Sequence, residues 1–141
     1  MKTSESKFCN CLYFTTNALA RKVEKLAGEA WKPVGISPSH GYLLLMAIEE
    51  PGIQPGTLAD NLQLSPSTIS RLIEKLEEKK LVVRVTEGKM TNVYATPAGK
   101  NLLPKLKNCV DNFYKNYTDI LGKEESDLIV NSVRKMADRF S

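Results

Sequence analysis

Three hydroxyl–proline pairs constrain the fold of this chain more than any other feature of its sequence. Ser37-Pro38, Ser65-Pro66 and Thr96-Pro97 each place a side-chain oxygen directly before a proline. A hydroxyl at the N-cap accepts a hydrogen bond from a free backbone N–H, and proline suits the first helical position. The pairs therefore predict three helices that start at their prolines, and Gln54-Pro55 predicts a fourth, weaker start.

Apolar residues at helical spacing extend this pattern along the chain. A long helix is expected before the first pair, and an amphipathic helix is expected after Gly122. The predicted helices cover 8–31, 37–50, 55–61, 66–79, 97–121 and a last stretch beyond Gly122. The chain is thus predicted to be mainly α.

The only strand signal lies in the second half of the chain. Leu81, Val83 and Val85 share one face by period-2 alternation, Glu87-Gly88-Lys89 turns the chain, and 93–95 returns. A small β hairpin is expected here.

The composition excludes several classes of protein. The chain has 141 residues, 42% hydrophobic and 26% charged, which fits one soluble globular domain. Its start lacks the apolar core of a secretory signal, and the uncharged stretch 33–48 is too short to span a membrane. A cytoplasmic protein with no membrane contact is expected.

Residues suited to catalysis or metal binding are few. The chain has one histidine and three cysteines, and Cys9-x-Cys11 has no second cysteine pair to complete a zinc site. It carries no glycine-rich phosphate loop and no nucleophile elbow. We expect neither an enzyme nor a metal or cofactor site, and the net charge of +4 permits nucleic-acid binding without requiring it.

Two short helices followed by a hairpin predict a winged helix-turn-helix. The expected shared core comprises Leu58, Ala59, Leu62, Ile69, Leu72, Ile73 and Leu76. Thr68, Arg71 and Lys75 then form one outward stripe that fits the major groove of DNA. The residues expected to contact DNA are Ser65, Ser67, Thr68, Ser70, Arg71 and Lys75 on the second helix, with Arg84 and Lys89 on the hairpin. The alternative is an ordinary solvated helix face.

Between residues 36 and 103 the chain resembles the MarR family of bacterial transcriptional regulators. The resemblance is carried by Ile36-Ser37-Pro38, 58–62, 64–77, 81–84 and Thr96-Pro97-Ala98-Gly99. It implies a homodimer that binds palindromic double-stranded DNA, most often as a repressor, and that responds to small anionic or phenolic ligands or to oxidation. The rival function is a winged-helix module that binds protein and not DNA.

Two positions depart from the family pattern. Lys89 stands nearest to the arginine that the family carries in its wing, and lysine is a point charge where arginine is a planar fork. Lys80 stands where the family has glycine after the recognition helix. If that position is left-handed, lysine costs on the order of 1 kcal/mol there.

The resemblance also implies an organisation for the whole chain. Residues 1–141 would form a single MarR-like domain, with a winged helix-turn-helix core at 36–96 and dimerisation helices at 8–31 and 97–141. A coiled-coil-like seam at alternating spacings of three and four supports dimerisation. It comprises Leu103, Leu106, Val110, Phe113, Tyr117 and Ile120. The alternative is that these helices bury each other within one subunit.

Two signal-sensing sites follow as hypotheses. One branch of the family senses organic peroxides through a cysteine followed four residues later by tyrosine, which makes Cys9 and Cys11 candidate redox residues near Tyr13. The alternative for both is packing as small hydrophobes, and Cys109 is expected in the core. Tyr13, Trp31, His40 and Tyr42 are the candidate effector pocket, with plain core or capping roles as the alternative.

Overall fold

The structure, a computed structural model, describes residues 1–140. Its α-helices are α1 Leu12–Trp31, α2 Pro38–Glu49, α3 Pro55–Leu62, α4 Pro66–Glu78, α5 Pro97–Asn101, α6 Leu103–Leu121 and α7 Lys123–Asp138. Strands β1 Val82–Glu87 and β2 Met90–Ala95 form the hairpin, and short 3₁₀ helices cover Thr3–Glu5 and Lys32–Val34. The predicted class, mainly α with a small β wing, is confirmed.

The chain divides into two compact units. One unit is Trp31–Cys109 and contains α2 to α5 with the hairpin. The other combines Met1–Ala30 with the chain from Val110 onward. The boundaries predicted for the winged core and the dimerisation helices stay predictions.

The three predicted helix caps are all present. The hydroxyl before each proline accepts a hydrogen bond from a backbone N–H of the first turn. The donor–acceptor distances are 3.4 Å from His40 N to Ser37, 3.3 Å from Thr68 N to Ser65 and 3.0 Å from Gly99 N to Thr96. The local capping chemistry therefore sets where α2, α4 and α5 begin.

The core of the Trp31–Cys109 unit lies where α2, α3 and α4 meet the base of the hairpin. The most completely buried side chains are Leu43, Leu44, Leu58, Ile69, Ile73, Leu76, Val82 and Val93. Leu62 and Leu72, which the sequence also predicts for this shared core, are partly exposed. Leu72 lies at the edge of the face defined by Ile69, Ile73 and Leu76, so its burial is incomplete.

The hairpin follows the predicted turn but buries the opposite face. Glu87 pairs with Met90, so Gly88-Lys89 forms a two-residue turn, and Gly88 adopts a φ of +63°. Val83 and Val85, predicted to share the apolar face, are 46% and 40% exposed, whereas Val82 is buried. The helices cover only the base of the hairpin. The alternation of apolar residues along β1 therefore does not predict which face is buried.

The first long helix begins later than predicted. Residues 8–11 lie outside α1, because the N–H groups of Cys9 and Cys11 bond to carbonyls three residues back, as in tight turns. The first helical hydrogen bond runs from Thr15 N to Cys11 O at 2.9 Å. The helix therefore starts at Leu12 and not at Phe8.

The helix predicted over 97–121 is two helices. α5 ends at Asn101, where Leu102 N bonds to Gly99 O at 3.1 Å, and α6 begins at Leu103. Pro104 explains the break, since proline has no N–H to donate and its ring collides with the carbonyl four residues back.

The other unit leaves many large apolar side chains exposed. They include Leu12, Leu19 and Val23 on α1, Tyr114, Ile120 and Leu121 on α6, and Leu128, Val130, Val133 and Met136 on α7. Of the predicted seam, Leu106 is buried and Ile120 is 69% exposed. An apolar cavity of about 290 Å³ lies in the same unit, with Leu19, Phe113, Leu121 and Ile129 in its wall. A single chain thus leaves large apolar side chains of three helices open to water.

Lys80 adopts the left-handed conformation anticipated from the sequence, with φ of 61°. Its N–H bonds to Glu77 O and the N–H of Leu81 bonds to Leu76 O, each at 2.9 Å, which is the hydrogen-bond pattern of a Schellman motif. Glycine is the residue that occupies this position without a Cβ penalty.

We expect Lys80→Gly to raise the free energy of unfolding by roughly 0.5–1 kcal/mol, because it removes that penalty. Urea unfolding of both proteins measures the difference. Lys79→Gly is the matched control, since Lys79 has an ordinary helical φ of −81° and glycine there lowers stability. A loss of stability in Lys80→Gly would contradict the prediction.

Candidate nucleic-acid interface

α3, a tight turn and α4 form a helix-turn-helix. α3 ends at Leu62, the next residue Gln63 is left-handed with a φ of 56°, and α4 starts at Pro66 behind the Ser65 cap. α3 and α4 pack through the buried Leu58 and Ile69 faces. Because this side of α4 is buried, its polar side faces outward.

Hydroxyls and a guanidinium gather at the N-terminal end of α4. Ser65 Oγ lies 3.2 Å from Ser67 Oγ and 2.9 Å from Thr68 Oγ1, and Arg71 Nη2 lies 3.5 Å from Thr68 Oγ1. The first turn holds no acidic residue, so the positive end of the helix dipole is not neutralised. We call Ser65, Ser67, Thr68 and Arg71 the α4 polar cluster, and it presents hydrogen-bond donors to an anion or a base edge.

The other predicted α4 contacts lie beside this cluster. Arg71 and Lys75 are exposed on one stripe, while Ser70 is half-buried. Lys75 Nζ lies 3.8 Å from Glu78 Oε2, and such an exposed pair contributes little to stability. Lys75 is therefore available to an incoming phosphate.

Arg84 has a partner that the sequence did not reveal. Its Nη2 lies 2.7 Å from Glu77 Oε1, and the two side chains are 35% and 31% exposed. The pair ties β1 to α4. No sequence signal indicates it, because it depends on how the hairpin packs against the helix, and the predicted contact of Arg84 with DNA stays a prediction.

Lys89 occupies the tip of the wing. It lies in the two-residue turn after Gly88 and is exposed. It takes part in neither of the ion pairs described for residues 1–140. Its ammonium is therefore free to approach a phosphate backbone.

Three of the four candidate effector-pocket residues lie together. Trp31 is buried, its ring centroid is 5.6 Å from that of Tyr42, and a Cβ on Gly41 would overlap the Trp31 ring. His40 Nδ1 contacts Ser37 Oγ at the start of α2. Tyr13 belongs to the other unit and is 79% exposed. None of these four lines a cavity described for residues 1–140, so the effector pocket stays a prediction.

The cysteines divide as two surface thiols and one core thiol. Cys9 is half-buried and Cys11 is exposed, and both precede α1 and do not lie in its first turn as expected. Cys109 is buried as predicted, and burial raises the pKa of its thiol. The redox role of Cys9 and Cys11 stays a prediction.

Residues 1–140 contain no cluster of three His, Cys, Asp or Glu residues suited to a metal ion. Among their helices, none has the length and the apolar run needed to cross a membrane.

A helix-turn-helix followed by a two-stranded wing defines the winged helix-turn-helix class of protein. The family model described as MarR family matches residues 34–89. A solved MarR-family transcriptional regulator from Rhodococcus sp. RHA1 is 26% identical, with 96% of this chain and 97% of that chain covered and a TM-score of 0.72. Over residues 34–89 the chain is therefore similar to the MarR family.

Two further solved structures are similar. CouR from Rhodococcus jostii RHA1 bound to p-coumaroyl-CoA is 25% identical, covering 99% of this chain and 94% of that one, with a TM-score of 0.72. The transcriptional repressor CouR bound to a 23-mer DNA duplex has a TM-score of 0.82 at 19% identity, over 97% of this chain and 98% of that one. The fold is that of solved transcription regulators.

Two curated relatives match over shorter stretches. A putative transcriptional regulatory protein for the hcr operon of Thauera aromatica is 23% identical over 105 residues, which is 72% of this chain. Riboflavin kinase of Thermococcus kodakarensis is 38% identical over 55 residues, which is 39% of this chain. The matches cover 63% and 26% of the lengths of these two relatives.

The surroundings of His40 make stability depend on pH. Burial lowers the pKa of His40 from its ordinary 6.5, and the positive charges of Lys75 and Lys79 on α4 lower it further. The unfolded chain therefore binds a proton at His40 more readily than the folded chain does. The contribution of neutral His40 to the free energy of unfolding is complete above about pH 6.5 and is lost as the pH falls below it.

We expect His40→Gln to flatten the decline in unfolding free energy between about pH 7 and pH 5, because it removes the group that titrates there. Urea unfolding across that pH range measures the two slopes. His40 is the only histidine in the chain, so no other side chain of that type contributes. Equal slopes in the two proteins would refute the assignment.

Proposed function

We propose that this chain is a sequence-specific DNA-binding transcriptional regulator that acts as a homodimer on palindromic operators, most often as a repressor. The observation that carries the proposal is the α4 polar cluster, which lies on the exposed side of the second helix of a helix-turn-helix. Recognition helices of this class enter the major groove with their N-terminal residues toward the bases.

Each side chain has a role that follows from its chemistry. Arg71 donates two parallel hydrogen bonds to a guanine, which is the commonest specific contact in the major groove. Ser65, Ser67 and Thr68 donate to phosphates or to base edges, and Lys75 adds charge along the same stripe. Lys89 extends from the wing to the backbone or the minor groove, and Arg84 either assists it or holds the wing through Glu77.

Exposed apolar side chains in the unit of Met1–Ala30 and the chain from Val110 onward support the dimer. Leu19, Val23, Ile120 and Val133 are among the large side chains that one chain leaves in water. A second copy that covers them removes this cost, and a two-fold dimer places two recognition helices on paired half-sites. The alternative is that these helices bury each other's apolar faces within one subunit. In a single chain the side chains named above stay exposed, which favours the dimer.

A signal that releases DNA completes the proposal. The similarity to CouR bound to p-coumaroyl-CoA supports a small-molecule effector for this chain. Oxidation at Cys9 or Cys11 is the other route, which the position of both thiols outside the core permits. We further propose that the protein has no enzymatic activity and works in the cytoplasm, where its DNA is.

The alternative is a winged-helix module that binds protein through the same α4 face. The Glu77–Arg84 pair favours this alternative in one respect, since it removes one wing cation from a DNA surface. Salt dependence separates the two functions, because DNA binding weakens steeply as salt competes for phosphates.

We expect Arg71→Ala to weaken binding to the selected operator by about 1–3 kcal/mol and to relax preference at one base pair of each half-site. Operators are first selected from random duplex DNA, and binding is then measured on single-base variants of that sequence. Arg139→Ala, which removes an equal charge beyond the end of α7, is the control. An equal loss on every sequence would assign Arg71 to a phosphate, and no loss would refute the placement of α4 in the groove.

We expect Lys89→Ala to lower the slope of log affinity against log salt by about one unit, with base preferences unchanged. Titrations at several salt concentrations measure the slope. Lys123→Ala, at the start of α7, removes the same charge away from the wing and is expected to leave the slope as it is. An unchanged slope in Lys89→Ala would mean that the wing does not reach DNA.

A further inference from the structure

A recess lies between the N-terminal segment and α1. The segment is held by Lys2 N, which donates to Glu5 Oε2 at 2.6 Å, and by Lys22 Nζ, which donates to Thr3 Oγ1 at 2.7 Å across 19 residues. These contacts fold the segment along the helix and leave a depression of about 440 Å³ that is open to solvent. We call it the N-terminal recess, lined by Lys2, Thr3, Phe14, Arg21, Lys22 and Lys25. Its volume is that of an ordinary small-molecule site.

Four cationic side chains line this one recess. They are Lys2 from the segment and Arg21, Lys22 and Lys25 from α1. Neither ion pair described for residues 1–140 involves any of them, because those pairs are Lys75–Glu78 and Arg84–Glu77. The Glu5 carboxylate is engaged with the backbone of its own turn. With four cations and the one nearby Glu5 carboxylate, the recess carries net positive charge.

Arg21 and Lys25 lie four residues apart on the same face of α1. The acidic residues at helical spacing from them are Glu24 and Glu29, and neither of the two ion pairs described for residues 1–140 joins them to these cations. Arg21 and Lys25 therefore stay available to an anion.

The recess also has an apolar end. Phe14, Ala18, Arg21 and Lys25 follow one stripe of α1 at spacings of four, three and four residues. Phe14 is half-buried and Ala18 is buried, so the stripe passes from an apolar wall to a cationic one. An amphipathic anion fits this order.

We propose that the N-terminal recess binds an organic phosphate with at least two negative charges, its aromatic or apolar portion against Phe14 and Ala18. A phosphate accepts two parallel hydrogen bonds from the guanidinium of Arg21 and point-charge contacts from Lys22 and Lys25. A single carboxylate leaves most of the four cations unpaired. Binding of the phosphate to the recess does not depend on the proposed function. An effect of this binding on DNA affinity does rest on the proposed function.

The test is calorimetry on the full chain at low ionic strength with three probes: ADP, inorganic pyrophosphate and adenosine. We expect ADP to bind, pyrophosphate to bind more weakly for lack of the aromatic portion, and adenosine to give no heat. Because no DNA is present, failure of this proposal is distinguishable from failure of the proposed function. If neither ADP nor pyrophosphate binds, the proposal is overturned.

A double variant identifies the site. We expect Arg21→Gln with Lys25→Gln to weaken ADP binding by about tenfold or more, since two charge-assisted contacts are lost. It leaves the Lys22–Thr3 hydrogen bond in place, and thermal unfolding with and without ADP checks that the fold persists. Lys107→Gln with Lys115→Gln removes the same charge from positions outside the recess and is the matched control.

Two outcomes of this comparison contradict the proposal. An equal loss of ADP binding in both double variants means general electrostatic attraction and no site. A loss of DNA binding in Arg21→Gln with Lys25→Gln, without loss of ADP binding, assigns these cations to the DNA backbone.

Discussion

The burial of one face of α4 is the constraint on which the exposed polar surface of the helix-turn-helix depends. Ile69, Ile73 and Leu76 are fully buried against α3 and the neighbouring elements, and burying side chains of this size contributes about 1.5–3 kcal/mol each. A rotation of α4 about its axis would expose them, so the rotation is fixed. The polar residues between them in sequence then face outward without needing contacts of their own.

Much of this arrangement could be predicted from the sequence because its causes are local. A hydroxyl before a proline stabilises a helix start wherever it occurs, and Ser37, Ser65 and Thr96 cap as expected. Lys80 is left-handed at the position where the family resemblance places a glycine. The α4 polar cluster likewise follows from helical spacing within one element.

The features that the sequence predicts wrongly or does not reveal depend mostly on packing between distant parts of the chain. Which face of the hairpin is buried depends on the helices beneath its base, so Val82 is buried and Val83 is not. The partner of Arg84 depends on the packing of the hairpin against α4. Apolar residues continue at helical spacing on both sides of Pro104, so their pattern predicts one helix. The proline instead ends the helix geometry at Leu102, between α5 and α6.

The Arg84–Glu77 pair also affects how a binding measurement is understood. It joins the wing to α4 through two partly exposed groups, and salt screens such pairs. Raising the ionic strength therefore loosens the wing at the same time as it displaces the protein from phosphates. Part of the salt dependence of affinity then arises inside the protein. The number of phosphate contacts is commonly estimated from the slope of log affinity against log salt, and for the proposed DNA complex this estimate would be too high.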